Sequence, residues 1–200
     1  MLRKISFASI PLVSLLLCVP AFSQTEEGRS EASAQFLGTF VRGTDSNGVH
    51  QKSSDSGGIL ATYRFFFSKH HGVEANYGYS RGTTTYNLPL GQSGVKANQH
   101  EWTGAYVFRI PMPRFTPFFE AGVGGLTFSP TGNSVSASNQ TRAAFVYGGG
   151  ADINLKHGLF VRAQYRGFVY NSPTFKVVAN LGADRVTHLA EPSVGFGVRF

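Results

Sequence analysis

The feature that most constrains this chain is a two-residue rhythm that recurs eight times. Segments near 31–42, 57–67, 73–82, 99–110, 115–128, 141–155, 159–170 and 186–200 alternate apolar residues with small, polar or charged ones. Period 2 is the repeat of a strand whose two faces meet different surroundings. A helix turns every 3.6 residues and cannot hold such a pattern on one side. Composition agrees. The 200 residues include 24 Gly, 18 Phe and 8 Tyr. Charged residues are 14% of the chain, against about 25% in a typical soluble domain. A hydrophobic share of 42% excludes a disordered chain, and the glycine content disfavours a helical bundle.

The connections alternate as well. Three are tight: Ser68 to Gly72, Pro111 to Arg114, and Lys156 to Gly158. Four are long and polar: 43–56, 83–98, 129–140 and 171–185. Strict alternation puts every long loop at one end and every short turn at the other, the asymmetry of an up-and-down membrane barrel.

The faces of the strands choose between lipid and water outside. Glu101 shares parity with Arg109, Arg142 with Asp152, Arg162 with Arg166, and Glu191 with Arg199. Random placement on a two-face strand gives four such agreements about one time in sixteen. The opposite faces are apolar. Strand four shows Trp102, Gly104, Tyr106, Phe108 and Ile110 there, and strand six shows Phe145, Tyr147 and Ile153 among small residues. An eight-stranded barrel has an interior just wide enough for side chains to fill. The aromatic faces would overfill it. The charged faces carry Gly122, Gly124, Gly148, Gly150, Gly195 and Gly197, and they fit. Lys or Arg facing lipid near the midplane costs about 2–4 kcal/mol. Charges therefore go inside and aromatics outside.

The expected interior charge network is Arg64, Glu74, Glu101, Arg109, Glu120, Arg142, Asp152, Arg162, Arg166, Glu191 and Arg199. Near-balance of sign implies mutual pairing, because an unpaired buried charge is costly. Ten residues tilted by about 40° rise roughly 25 Å, the height of the apolar band. Pro192 and Pro117 lie inside strands and cannot donate ladder hydrogen bonds, so a bulge is expected at Pro192.

Residues 1–23 read as a cleaved secretory signal. Arg3 and Lys4 are its positive start, Ile5 to Val19 its apolar stretch, and Ala21-Phe22-Ser23 its small-residue cleavage site. The apolar stretch is shorter than the ~20 residues a spanning helix needs. Leu17 before Cys18 disfavours lipidation. Cleavage removes the sole cysteine and leaves 16 Lys/Arg against 11 Asp/Glu, a net of +5. Those cations are scattered, so no nucleic-acid surface is expected. Residues 24–30 are then a short periplasmic tail, and 31–200 the barrel.

The last strand ends in Ser193-Val194-Gly195-Phe196-Gly197-Val198-Arg199-Phe200. A terminal Phe preceded by Val198, Phe196 and Val194 at two-residue steps resembles the assembly signal of bacterial outer-membrane proteins. With the signal peptide and eight strands, the chain resembles the small outer-membrane barrels of the OmpA/OmpX type. That resemblance implies passage with periplasmic chaperones and insertion by the barrel-assembly machinery. It implies outer-membrane lipid around the barrel, long loops outside, and short turns and both termini in the periplasm. The peptidoglycan-binding domain of full-length OmpA-like proteins is not expected.

Other constellations are weaker. His100-Glu101 and His188 with Glu191 are the only candidates for lipid-directed catalysis, and no nucleophile–base–orienter set accompanies them. His70-His71 lacks a third metal ligand. Gly148-Gly149-Gly150 is followed by no helix and reads as relief of crowding. The long loops carry Tyr86, Leu88, Leu90, Phe175, Val177 and Val178 and are the expected carriers of surface contact.

The sequence thus points to an all-β, eight-stranded antiparallel up-and-down transmembrane β-barrel of the bacterial outer membrane. A structural, surface-exposed role without cofactor or catalysis ranks first, with an unidentified surface ligand. A narrow porin-like channel is the alternative, and an outer-leaflet lipid enzyme ranks behind both. Mass spectrometry of the chain recovered from outer membranes should find the mature N-terminus at Gln24. An intact residue 1–23 would refute the cleavage.

Overall fold

A computed structural model describes residues 28–41, 44–46, 49–53, 56–88, 91–131, 139–171 and 186–200. The signal segment, the tail up to residue 27 and most of two long loops lie outside the described residues, with Leu90, Phe175, Val177 and Val178 among them. Ten strands form: β1 (Ser30–Val41), β2 (Thr44–Ser46), β3 (Val49–Ser53), β4 (Ser56–Phe66), β5 (His71–Leu88), β6 (Gly91–Arg109), β7 (Phe115–Thr131), β8 (Gln140–Asn154), β9 (Leu159–Asn171) and β10 (Val186–Arg199). Eight of them close a ring in the order β1-β4-β5-β6-β7-β8-β9-β10, every neighbour antiparallel. The seam is β1 on β10, where Ser30 and Phe200 exchange both backbone hydrogen bonds at 2.9 Å. Closure leaves no open sheet edge at membrane depth, the condition for strands to survive in lipid.

Short turns are built by local chemistry. Ser68 Oγ accepts from the amides of His70 (3.3 Å) and His71 (3.1 Å), which folds the β4–β5 turn. In the β8–β9 turn His157 and Gly158 take φ of 61° and 74°. Gly158 is needed twice, for its φ and because a Cβ there would meet the Arg199 carbonyl at 2.6 Å.

The long-loop end differs from expectation in the first half of the chain. Of residues 83–98, 83–88 and 91–98 are strand, not loop. β5 and β6 stay paired from His71↔Phe108 to Leu88↔Gly91. Segment 43–56 holds β2 and β3, and β3 pairs with β5 beyond the point where β4 leaves it. β2, β3, β5 and β6 thus form a ribbon that projects past the ring. Polar Thr and Gln residues concealed it, since both faces of a ribbon in water can be polar.

The bulge expected at Pro192 does not form. The β9–β10 register runs unbroken from Val186↔Asn171 to Val198↔Leu159, with Pro192 opposite Tyr165. The missing N–H is felt on the other side. Pairing of β1 with β10 lapses between Leu37↔Ser193 and Phe40↔Ala190, then resumes in the same register. At Pro117 the carbonyl accepts from the Ile110 amide at 2.9 Å, just past the end of β6.

Outward faces are apolar and exposed, including Phe36, Trp102, Phe119, Val123, Phe145 and Phe196. Large rings lie over small residues of the next strand. A Cβ on Gly167 would come within 2.7 Å of the Tyr147 ring, so the ring covers the glycine backbone. Tyr77 packs on Trp102 (4.3 Å) and donates to or accepts from His100 Nδ1 at 2.9 Å, near the long-loop end. His71, Tyr106 and Phe108 group near the short-turn end. Two aromatic belts result. Val123 lies midway along the outward face of β7 and is 66% exposed. Val123→Arg should lower unfolding stability in lipid vesicles by about 2–4 kcal/mol. A urea midpoint equal to wild type would contradict a lipid-facing Val123.

Candidate functional site: the charged barrel interior

Each barrel strand sends alternate residues inward, so the narrow interior collects whatever those faces carry. Arg64, Glu74, Glu101, Arg109, Glu120, Asp152, Arg162, Arg166 and Glu191 are all buried there. Arg142 and Arg199 are half-buried.

Three groups of ion pairs cross the interior. Nearest the short turns, Glu31 is the hub. Its Oε1 accepts from Arg109 Nη1 (2.6 Å) and Arg199 Nε (2.9 Å), and its Oε2 from Arg162 Nη2 (2.8 Å). Arg162 also grips Asp152 with a two-pronged fork, Nε to Oδ1 at 2.7 Å and Nη2 to Oδ2 at 2.8 Å. In the second group Arg64 joins Glu74 to Glu120, the latter at 3.1 Å. In the third, Arg166 joins Glu191 to Glu101. Neutral side chains extend the web. Thr62 donates to Asn76 Oδ1 (2.6 Å), Asn76 to Thr103 (3.0 Å), Gln35 to Thr62 (3.3 Å), and Ser193 to Gln35 (3.1 Å).

Glu31 is absent from the network expected from sequence. Its parity with Ser33, Gln35 and Thr39, all buried, was the available signal.

The interior also corrects the placement of aromatics. Phe66, Phe118, Phe160, Phe168 and Tyr170 point inward and are buried. The guanidiniums lie over them: Arg109 over Phe66 at 3.5 Å, Arg64 over Phe118 at 3.9 Å, Arg162 between Phe160 (4.8 Å) and Phe118 (5.1 Å), and Arg166 over Phe168 at 5.2 Å. A planar cation on a ring face keeps its edge free for carboxylates. Glycines opposite make the room. A Cβ on Gly197 would collide with the Phe160 ring, and one on Gly78 with the Glu101 side chain. Gly148-Gly149-Gly150 shows the same crowding, since Cβ atoms there would meet Tyr165, Phe119 and Gln164. Toward the long-loop end the lining turns apolar, with Leu126, Val146, Phe168, Tyr170 and Leu189 in one cluster.

Several polar atoms stay unmatched in this interior: Glu120 Oε1, Glu191 Oε2, Arg166 Nη1 and the Gln164 amide. At the short-turn mouth a cleft of about 400 Å³ is lined by Arg109, Arg199, Thr116, Asn154 and the Pro111–Pro113 turn.

The other sequence candidates separate. His100 faces outward to Tyr77 while Glu101 is buried inside. His188 meets Tyr147 at 2.8 Å on the outer surface, while Glu191 is inside. The His70 and His71 rings are 6.4 Å apart and nearly perpendicular. Among the described residues no three His, Cys, Asp or Glu converge as metal ligands. Val194 and Phe196 are exposed on the outer face, Val198 is half-buried, and Phe200 is at the seam.

A family model described as "Outer membrane protein beta-barrel domain" matches residues 9–200. No curated protein matches the chain. Among solved structures, OprG of Pseudomonas aeruginosa is 16% identical with a TM-score of 0.64, covering 86% of this chain and 96% of its own. Neisserial surface protein A is 12% identical at 0.61, covering 88% and 100%. Ail of Yersinia pestis, solved with the heparin analogue sucrose octasulfate, is 18% identical at 0.57, covering 88% and 100%. At these identities the likeness is one of fold.

Glu31→Ala leaves three guanidiniums facing one another without their shared carboxylate. It should cost about 3–5 kcal/mol. Arg81→Ala, at an exposed bond to Asn98, should cost at most about 1 kcal/mol. Urea unfolding of both variants measures the contrast, and equal losses would remove Glu31 from its central place.

Proposed function

The chain belongs to the outer-membrane β-barrel domain family, and from that premise we propose a closed, plugged barrel. Its work is structural, with surface contact made through the long connections. The observation that carries this reading is the complete burial of Arg162 and Arg166 at 0% exposure and of Arg64 at 1%. These side chains reach across the interior to carboxylates on other strands, and rings cover them. A continuous water path would leave them wet. In this reading the short turns and both termini face the periplasm and the long connections face outward. Residues 1–23 are removed as a signal, and 24–30 form the tail. Val194, Phe196, Val198 and Phe200 serve as the assembly signal, read by the barrel-assembly machinery after delivery by periplasmic chaperones. The projecting ribbon of β2, β3, β5 and β6 is the part best placed to meet a partner, because it stands clear of the ring on paired backbone.

A second reading, a narrow passive channel, has one observation in its favour. The unmatched Glu120 Oε1, Glu191 Oε2 and Arg166 Nη1 are places where water would be welcome. Single-channel recording of the refolded protein in a planar bilayer separates the two. The plugged barrel gives no reproducible steps, and Arg166→Ala or Glu120→Ala creates small ones by opening the cross-links. Steps in the wild type that both changes alter would replace the plug with the channel. In parallel, a variant joining Gly82 to Ala97 by a two-residue turn should assemble. It should reduce adherence of expressing bacteria to epithelial monolayers several-fold. Unchanged adherence would clear the ribbon of that role.

A further inference from the structure

The two central groups of ion pairs do not balance by themselves. Arg64 binds Glu74 and Glu120, and Arg166 binds Glu101 and Glu191. Four carboxylates thus share two guanidiniums, and all six side chains are at most 4% exposed. Arg162, in the group below, is held by Glu31 and Asp152. An excess of negative charge in a dry interior is costly unless a positive partner meets it.

Unmatched polar atoms gather beside this excess. Glu120 projects from β7, and Gln164 and Arg166 project from β9, with β8 between the two strands. Register sets Gly148 between Glu120 and Arg166, and Gly150 beside Gln164. Neither glycine has a side chain to fill the gap. Glu120 Oε1 lies over Gly148, 3.1 Å from where a Cβ would stand, and Gln164 Cβ lies 2.7 Å from the Cβ position of Gly150. Glu120 Oε1, Arg166 Nη1 and both amide atoms of Gln164 have no hydrogen-bond partner among the described residues, and Glu191 Oε2 on β10 is unmatched as well. Glu120 and Gln164 are 4% and 5% exposed, so bulk water does not supply one. Orphans at that depth call for a trapped water or ion.

The geometry points to a buried site for one alkali cation between Glu120 on β7 and Gln164 on β9, over the floor made by Gly148 and Gly150. A carboxylate oxygen and an amide oxygen are the hard donors such an ion takes in place of its hydration shell. A coordinated water accepts from Arg166 Nη1 and completes the shell. Water alone would meet the hydrogen bonds and leave the charge. Calcium takes about six to eight oxygens, several of them from carboxylates. Here one unmatched Glu120 oxygen stands near a guanidinium, and a single positive charge is the match. Because the surrounding arginines are fully covered, the ion is captured as the ring closes. The site concerns charge balance within the folded barrel, so it stands apart from the plug, which conductance recordings test, and from any surface partner.

The test refolds the protein in lipid vesicles in sodium, potassium or rubidium chloride, and in N-methylglucamine chloride at equal ionic strength. Urea unfolding reads stability in each salt. A site half-filled at about 10 mM makes folding about 16-fold more favourable in about 150 mM of the preferred alkali salt than in N-methylglucamine. Crystals grown from rubidium chloride should show one anomalous peak between Glu120 and Gln164. Gln164→Met keeps the bulk and removes the amide, so it should lose both the peak and the dependence on cation identity. Arg81→Gln, at the long-loop rim, should keep both. Heat-modifiable migration confirms that each variant has closed. Should Gln164→Met not fold, the wild-type salt series and the rubidium peak decide by themselves. Equal stability in every salt, or no peak at the site, overturns the inference. So does a stability that follows pH and not the cation, which gives the charge balance to protons, or a peak that Gln164→Met leaves in place.

Discussion

A strand in hydrocarbon must give every backbone N–H and C=O a partner from another strand. The exchange between Ser30 and Phe200 is where this chain meets that demand, because it turns an open sheet into a ring. All else follows from the ring's small bore. Eight strands enclose a space that side chains fill, so inward residues must pack and neutralise one another. Arg64, Arg109, Arg142, Arg162, Arg166 and Arg199 face inward with Glu31, Glu74, Glu101, Glu120, Asp152 and Glu191. Six cations meet six anions. β6, β8 and β10 each carry one inward cation and one inward anion, but β1, β4, β5, β7 and β9 do not, so balance over the whole interior is reached only when the ring is complete. Closure and charge pairing are therefore one cooperative event.

Arginine rather than lysine fills these positions for a geometric reason. A guanidinium presents five donors at its edge and a flat face. Arg162 uses the edge for Asp152 and Glu31 and the face for Phe160 and Phe118. A lysine would offer three donors and no face. Such crowding needs slack elsewhere, and the inward glycines provide it. The Phe160 ring occupies the volume that a side chain at position 197 would take. Large ring, planar cation and missing side chain form one packing unit.

Most of the architecture was legible because membrane barrels write it twice, once as parity and once as loop asymmetry. Both signals survive without tertiary information. What escaped was whatever breaks those signals' assumptions. Glu31 was passed over although it shares parity with Ser33, Gln35 and Thr39, which are buried beside it. Phe66, Phe118, Phe160 and Phe168 share parity with the charges of their strands, and an argument from bulk alone sent aromatics outward. Stacking lets ring and cation share volume, which bulk does not see. Residues 83–88 and 91–98 are strand in polar text, since backbone pairing in water demands no apolar face. Pro192 kept its register because β9 holds β10 along its whole length, so the lost donor shows only against β1.

The distribution of charge has a consequence for the outside. Six inward cations and six inward anions cancel, so the described interior is neutral. A neutral interior adds little to the long-range field, since opposite charges a few ångströms apart form short dipoles. The barrel thus separates two uses of one residue type. Inside, arginine is a cross-link whose charge is spent on its neighbours. At the rim, Arg114 and Lys156 stand exposed at the edge of the apolar band.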